Sequence, residues 1–125
     1  MQILLDTHLF IWWLKDDAQL SKKACTIITN ADIVYVSSVS IWEAAIKIQL
    51  GKLNANILEL VDAINSEGFV ELPLLAKQAA TVTKLPNFHR DPFDRMLIAQ
   101  AIAEPLRLLT SDMILKKYSE LVEII

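Results

Sequence analysis

The chain has 125 residues, 54% of them apolar, and a formal net charge of −3. That length fits a single compact domain, residues 1–125, able to bury well over half of its unfolded surface. An acidic pI of about 5.3 argues against broad electrostatic binding of nucleic acid, so any such contact has to be local or assisted by metal ions.

The longest uninterrupted apolar run, Leu9 to Leu14, is too short to span a bilayer, so no membrane contact is expected. The opening Met-Gln-Ile-Leu-Leu-Asp has no basic region and does not read as a secretory signal. Cys25 is the only cysteine, which excludes an internal disulfide and suits a reducing cytoplasm. Two glycines and four prolines leave no room for a flexible linker.

In chain order, Gln2 to Leu5 reads as a buried strand, and Thr7 to Leu14 as a helix capped by Asp6 or Thr7. Ser21 to Asn30 is a second helix, and the β-branched and aromatic Ile33 to Val36 a second strand. Ser38 to Leu50 follows as a helix stopped at Gly51, then Asn56 to Ser66 as another. Phe69 to Leu72 is a strand, and Leu74 to Thr83 a helix that ends before Pro86. Asp91 to Glu104 is a helix with Pro92 in its first turn. Leu106 to Leu109 is a strand, Asp112 to Tyr118 a short helix, and Leu121 to Ile125 the last strand. Strands alternating with helices require crossovers, so the expected fold is α/β, a three-layer α/β/α sandwich around a mostly parallel sheet.

On such a sheet four acids stand where an apolar run gives way to a turn or a helix start: Asp6, Glu43, Asp94 and Asp112. Ligands collect outside the carboxyl ends of the strands. Each acid also has a plain structural role. Asp6 and Asp112 suit helix caps after strands, and Glu43 completes an S-x-x-E capping box with Ser40. If that helix starts earlier, at Ser38, Glu43 lies a turn inside it and faces the strand ends; the sequence leaves both open. Asp91 and Pro92 form a helix start, which puts Asp94 in the first turn, where the helix dipole favours an ionised carboxylate. Asp91 is then the cap and a supporting group. His89, Arg90 and Arg95 add donors suited to phosphate, with Lys47 a further candidate. An all-oxygen set selects a hard cation, Mg²⁺ or Mn²⁺, over zinc. One or two such ions, roughly 4 Å apart when paired, serve phosphodiester hydrolysis.

The segments Leu4-Leu5-Asp6-Thr7, Ser38-Val39-Ser40-Ile41-Trp42-Glu43, Asp91 to Ala101 and Leu109-Thr110-Ser111-Asp112 together resemble the PIN-domain ribonucleases, and among them the VapC-type toxins of bacterial toxin–antitoxin pairs. The resemblance runs through the whole chain. It implies that Asp6, Glu43, Asp94 and Asp112 are catalytic and hold the metal, with Thr110 orienting ligands or water. It also implies an RNA substrate, a cognate antitoxin whose tail lies across the cleft, and a homodimer. The first helix, apolar nearly all round through Phe10, Ile11, Trp12, Trp13 and Leu14, is expected to leave at least one tryptophan for such an interface.

Three other readings compete. His8 and His89 could act as acid and base without metal, through the ribose 2′-hydroxyl. A receiver-like signalling domain shares the size and layers, but Thr7 follows Asp6 where receivers carry a second acid, and Pro73 follows the third strand. A catalytically silent PIN-like module would bind RNA or a partner only, and the intact acids speak against it.

Overall fold

A computed structural model describes residues 1–125. Five parallel strands form one sheet: β1 (Gln2–Leu5), β2 (Ile33–Ser37), β3 (Val70–Leu72), β4 (Arg107–Thr110) and β5 (Val122–Ile124), in the spatial order β3-β2-β1-β4-β5. Their connections carry α1 (Thr7–Lys15), α2 (Lys22–Asn30), α3 (Ser38–Gln49), α4 (Ile57–Ser66), α5 (Ala76–Thr81) and α6 (Pro92–Ala103). Short 3₁₀ turns lie at Val82–Lys84 and Met113–Tyr118. The α/β/α sandwich expected from the alternation is therefore the fold.

Alternation within each strand divides the core. Ile3 and Leu5 of β1 face the same side as Val34, Val36 and Leu109, packed by Phe10, Ile28, Leu60 and Ile64. Leu4 points the other way, with Leu108 and Val122, against Leu97, Ile98, Ala101 and Leu115. A strand covered on both faces needs apolar residues on both, which is why Ile3-Leu4-Leu5 of β1 and Leu108-Leu109 of β4 are consecutive apolar residues.

The order of the strands fixes where a ligand can sit. From β1 the chain winds outward through β2 to β3, then returns to place β4 on the opposite side of β1. The crevice at such a switch point lies outside the carboxyl ends of β1 and β4. Asp6 follows β1, and Asp112 lies two residues beyond β4.

Several boundaries differ from the sequence reading, each for a local reason. Helix α3 begins at Ser38 with Ser37 as its cap, the Ser37 Oγ accepting from Val39 N at 3.0 Å. The capping box centred on Ser40 does not form; Ser40 is inside the helix and its Oγ accepts from Thr7 Oγ1 at 2.9 Å. Helix α1 runs one residue further than expected and stops at Asp16, whose left-handed backbone (φ 50°) an aspartate tolerates. Helix α5 starts late because Leu75 remains extended and the Gln78 side chain accepts from its N–H at 2.9 Å. The turn after β4 is a 3₁₀ helix rather than an α-helix.

A buried polar chain ties the α3 cap to α6. Ser37 Oγ donates to Gln100 Oε1 at 2.5 Å, and Gln100 Nε2 donates to Gln78 Oε1 at 3.2 Å. All three residues are fully buried. Replacing Gln100 with leucine keeps the volume but removes one of the two donors to Gln78 Oε1 and the acceptor of the buried Ser37 hydroxyl, whose proton is left unsatisfied. Gln100→Leu should lose about 1–3 kcal/mol of stability in urea denaturation, and an unchanged midpoint would show that the chain is dispensable.

Candidate metal centre at the switch point

Asp6 is the most firmly held of the four acids. Its Oδ1 accepts from Leu9 N at 2.9 Å, capping α1, and its Oδ2 accepts from Thr110 Oγ1 at 2.6 Å. Thr110 Oγ1 in turn accepts from Asp112 N at 3.1 Å. One hydroxyl thus links the acid after β1 to the acid after β4. Asp112 caps the 3₁₀ turn through Oδ1, which accepts from Ile114 N at 3.0 Å. The capping roles open from sequence are real, and each leaves part of the carboxylate for other work.

Glu43 enters from α3, buried, a turn and a half past the cap. Its Oε2 pairs with Lys47 Nζ at 2.7 Å, one helical turn on. Its Oε1 is buried with no hydrogen-bond partner. A buried carboxylate oxygen without a partner is costly unless a cation or water serves it.

Asp94 stands in the first turn of α6, with the Asp91 Oδ1 cap accepting from Phe93 N and Asp94 N at 2.9 and 3.1 Å. His89 Nε2 lies 3.0 Å from Asp94 Oδ2 and 3.3 Å from Asp112 Oδ2. Ligand atoms of these three side chains fall within 4.8 Å of one another, a spacing compatible with a shared ion. The loop is braced from behind: Tyr118 OH accepts from His89 N at 2.8 Å and from Arg95 at 3.2 Å.

The electrostatics follow from this crowding. Burial, then the charges of Asp91 and Asp6, push the Asp94 carboxyl up to about 7, against a smaller opposing effect of its bond to His89. Burial raises Asp6 as well, countered in part by Thr110 and Leu9, while Glu43 adds to the rise. Clustered acids without metal are expected to leave at least one of them raised, and at Asp94 desolvation and neighbouring acids outweigh the help that the α6 dipole gives the ionised form. Asp6, Glu43 and Asp94 each bear on another's charge, so these acids from three elements form one electrostatic unit.

Not every candidate stands in the same way. Arg90 is exposed, and with Asn87, His89 and Arg95 it lines a polar cleft of about 440 Å³ beside Asp94. Arg95 already donates to the carbonyls of Pro86 at 2.9 Å and Val82 at 3.4 Å, so much of its guanidinium braces the wall of that cleft. His8 is exposed and sits by the Trp12 ring, at 5.9 Å between centroids, whereas His89 is engaged by Asp94 and Asp112. Of the two, only His89 is in direct contact with the carboxylates, while His8 bears on Asp6 through its charge. Sequence reading missed Tyr118 and Gln100 as supports; nothing local marks either. The Glu43–Lys47 pair was legible from its i, i+4 spacing.

A profile of the PIN domain matches residues 3–121. The chain belongs to the PIN-domain family. Ribonuclease VapC22 of Mycobacterium tuberculosis is 30% identical over 123 residues, covering 93% of this chain and 91% of that protein. Among solved structures, VapBC2 from Rickettsia felis bound to a promoter DNA fragment aligns with a TM-score of 0.75 at 18% identity, over 100% of this chain and 99% of that one. FitAcB from Neisseria gonorrhoeae aligns at 0.62 and 19% identity, covering 90% and 89%. The likeness within the PIN family is thus to VapC-type proteins.

The residues of this PIN domain fit a hard divalent cation on two counts. Asp94 and Asp112 converge with the His89 imidazole, and Glu43 Oε1 is a buried acceptor with no other partner. The raised Asp94 makes the metal-free protein sensitive to pH. A carboxyl bound more tightly to its proton in the folded state than in the unfolded chain favours folding at low pH, and that advantage fades as pH rises from about 4 to about 7. Melting without divalent metal should therefore fall across that interval and level off above it. A melting temperature that rises from pH 5 to pH 7 would contradict the assigned environment of Asp94.

Proposed function

We propose that this VapC-type PIN domain is a metal-dependent endoribonuclease and the toxin of a toxin–antitoxin pair. The observation that carries the reading is the carboxylate cluster at the β1/β4 switch point, with Glu43 Oε1 buried and unpartnered in it. The ribonuclease name of the 30%-identical relative gives independent support.

Asp6, Glu43, Asp94 and Asp112 would hold one or two Mg²⁺ or Mn²⁺ ions. Bound there, a divalent ion lowers the pKa of a coordinated water and offsets charge on the leaving oxygen of a phosphodiester. Thr110 fixes Asp6 so that its carboxylate does not rotate away, and Asp91 fixes the start of α6 and so the placement of Asp94. Arg90 and His89, in the polar cleft beside Asp94, would receive substrate phosphates, with Arg95 shaping the wall and adding charge. These cations oppose the repulsion that an acidic centre exerts on RNA.

Structural neighbours of this fold were solved as toxin–antitoxin complexes, which supports a cognate antitoxin here. Helix α1 leaves Trp12, Trp13 and Leu14 half-buried, and a cleft of about 380 Å³ runs between it and α4, lined by Leu14, Ala55, Leu60 and Ala63. An amphipathic antitoxin segment would lie there and reach the carboxylates with its tail. A homodimer and a cytoplasmic location complete the proposal; no helix is long and apolar enough to cross a membrane.

The decisive comparison is RNA cleavage by the wild type, Asp6→Asn and Asp94→Asn in Mg²⁺ or Mn²⁺. The wild type should cut and both variants should lose at least a hundredfold in rate, on the order of a few kcal/mol of barrier, while remaining folded. A chelator should abolish cleavage, and a 2′-deoxyribose at the scissile position should leave it in place. Cleavage that survives the chelator and needs the 2′-hydroxyl would instead favour acid–base chemistry.

A further inference from the structure

The polar cleft with Arg90 borders the centre on the Asp94 side. A second cleft, of about 360 Å³, borders it on the Glu43 side and has a different character. Trp12, Ile11 and Leu53 give it an apolar lining, and of its three lysines Lys47 is paired with Glu43 while Lys15 and Lys52 stand with the single lining acid Asp17. The lining is thus slightly cationic on a chain whose net charge is −3. The Lys47–Glu43 pair makes the cleft continuous with the carboxylate cluster. Lys15 donates to the Asn54 carbonyl at 3.2 Å, a neutral partner that leaves its charge uncompensated. Lys52 is exposed, and the Trp12 ring, half-buried, meets His8 at its edge of the cleft.

An aromatic ring flanked by ammonium groups matches a base and its neighbouring phosphates. Bases stack on aromatic side chains without regard to sequence, while lysines follow the backbone as point charges. The volume falls within the roughly 300–1,000 Å³ typical of ligand sites. We propose that this cleft is a nucleotide subsite for single-stranded RNA, in which one unpaired base packs on Trp12 and the flanking phosphates sit on Lys15 and Lys52. The proposal rests on the ribonuclease reading and deepens it. RNA would pass over the carboxylates with Arg90 on one side and Trp12 on the other, so a strand with an unpaired nucleotide on the Glu43 side of the cut is preferred to a continuous duplex.

The test is binding of a fluorescent single-stranded RNA to the Asp94→Asn chain, followed by anisotropy at several salt concentrations. Adding Trp12→Leu, which keeps an apolar side chain but removes the stacking face, should weaken binding by on the order of tenfold, with Trp12→Phe largely restoring it. Adding Lys15→Ala and Lys52→Ala, both at exposed side chains, should reduce the salt slope by about 1.4, at roughly 0.7 for each phosphate left without its lysine. RNA affinity and salt slope unchanged in the folded lysine variant would overturn the subsite, even if Trp12→Leu fails to fold. An acidic peptide that binds more tightly than RNA and is released by the same lysine substitutions would also overturn it, marking a protein-docking cleft. The subsite and the ribonuclease reading fail separately. Wild-type cleavage lost in Asp94→Asn but indifferent to the cleft substitutions removes the subsite and keeps the ribonuclease. Trp12-dependent RNA binding without any cleavage by the wild type does the reverse.

Discussion

A single hydrogen bond, from Thr110 Oγ1 to Asp6 Oδ2, joins residues 104 apart in sequence and decides where the chemistry of this fold can occur. It spans the β1/β4 pair, the one place where consecutive windings of the sheet diverge, and closes the gap that this divergence opens. With Oδ1 held by Leu9 N, both oxygens of Asp6 have fixed directions. The same hydroxyl accepts from Asp112 N, so the last acid is set relative to the first. A hydroxyl that donates one way and accepts the other can do this; valine, of the same shape, cannot. Glu43 and Asp94 are then delivered by α3 and α6, and the Ser37 cap of α3 is tied to Gln100 in the last turn of α6. The scaffold is rigid because buried polar groups in it are paired.

Against that rigidity stands an unmet electrostatic demand. Asp6 and Asp94 are both shifted toward the neutral form, and Glu43 keeps one oxygen without a partner while the other takes Lys47. Proteins tolerate such a concentration of buried acid when a cation belongs there, and functional sites are where strongly shifted groups gather. His89 between Asp94 and Asp112, and Lys47 on Glu43, supply partial compensation. They do so at the rim and leave the interior of the cluster acid-rich. Acids crowded in this way are destabilising without a cation, and stability given up at such a site is made good by the two apolar cores on either face of the sheet.

Much of this was legible in the sequence because the elements are punctuated by chemistry. Asp91-Pro92 announces α6, Gly51 (φ 74°) ends α3, and the apolar β1 can only be a strand buried on both faces. The placement of Asp6 after β1, Asp112 after β4 and Asp94 in the first turn of α6 followed from those boundaries. What escaped was set by tertiary contact. Nothing near Ser40 tells that Thr7 takes its hydroxyl, which is why the capping box looked as good as a start at Ser38. Repulsion among the acids is legible from their clustering, whereas the burial that contributes most at Asp94 comes from distant elements that a local argument from the helix dipole omits. Tyr118 and Arg95 brace the His89 loop through contacts of 23 to 29 residues' separation, beyond any spacing rule.

The account turns on the four carboxylates holding a divalent cation, and Mn²⁺ titration followed by electron paramagnetic resonance addresses that without requiring a substrate. The wild-type chain should deplete the free Mn²⁺ signal saturably, competed by Mg²⁺, and Asp6→Asn and Asp94→Asn should bind at least tenfold more weakly while keeping the native circular dichroism. A signal that stays that of free Mn²⁺ with the wild type at millimolar concentrations, or binding unchanged in both variants, would contradict the account.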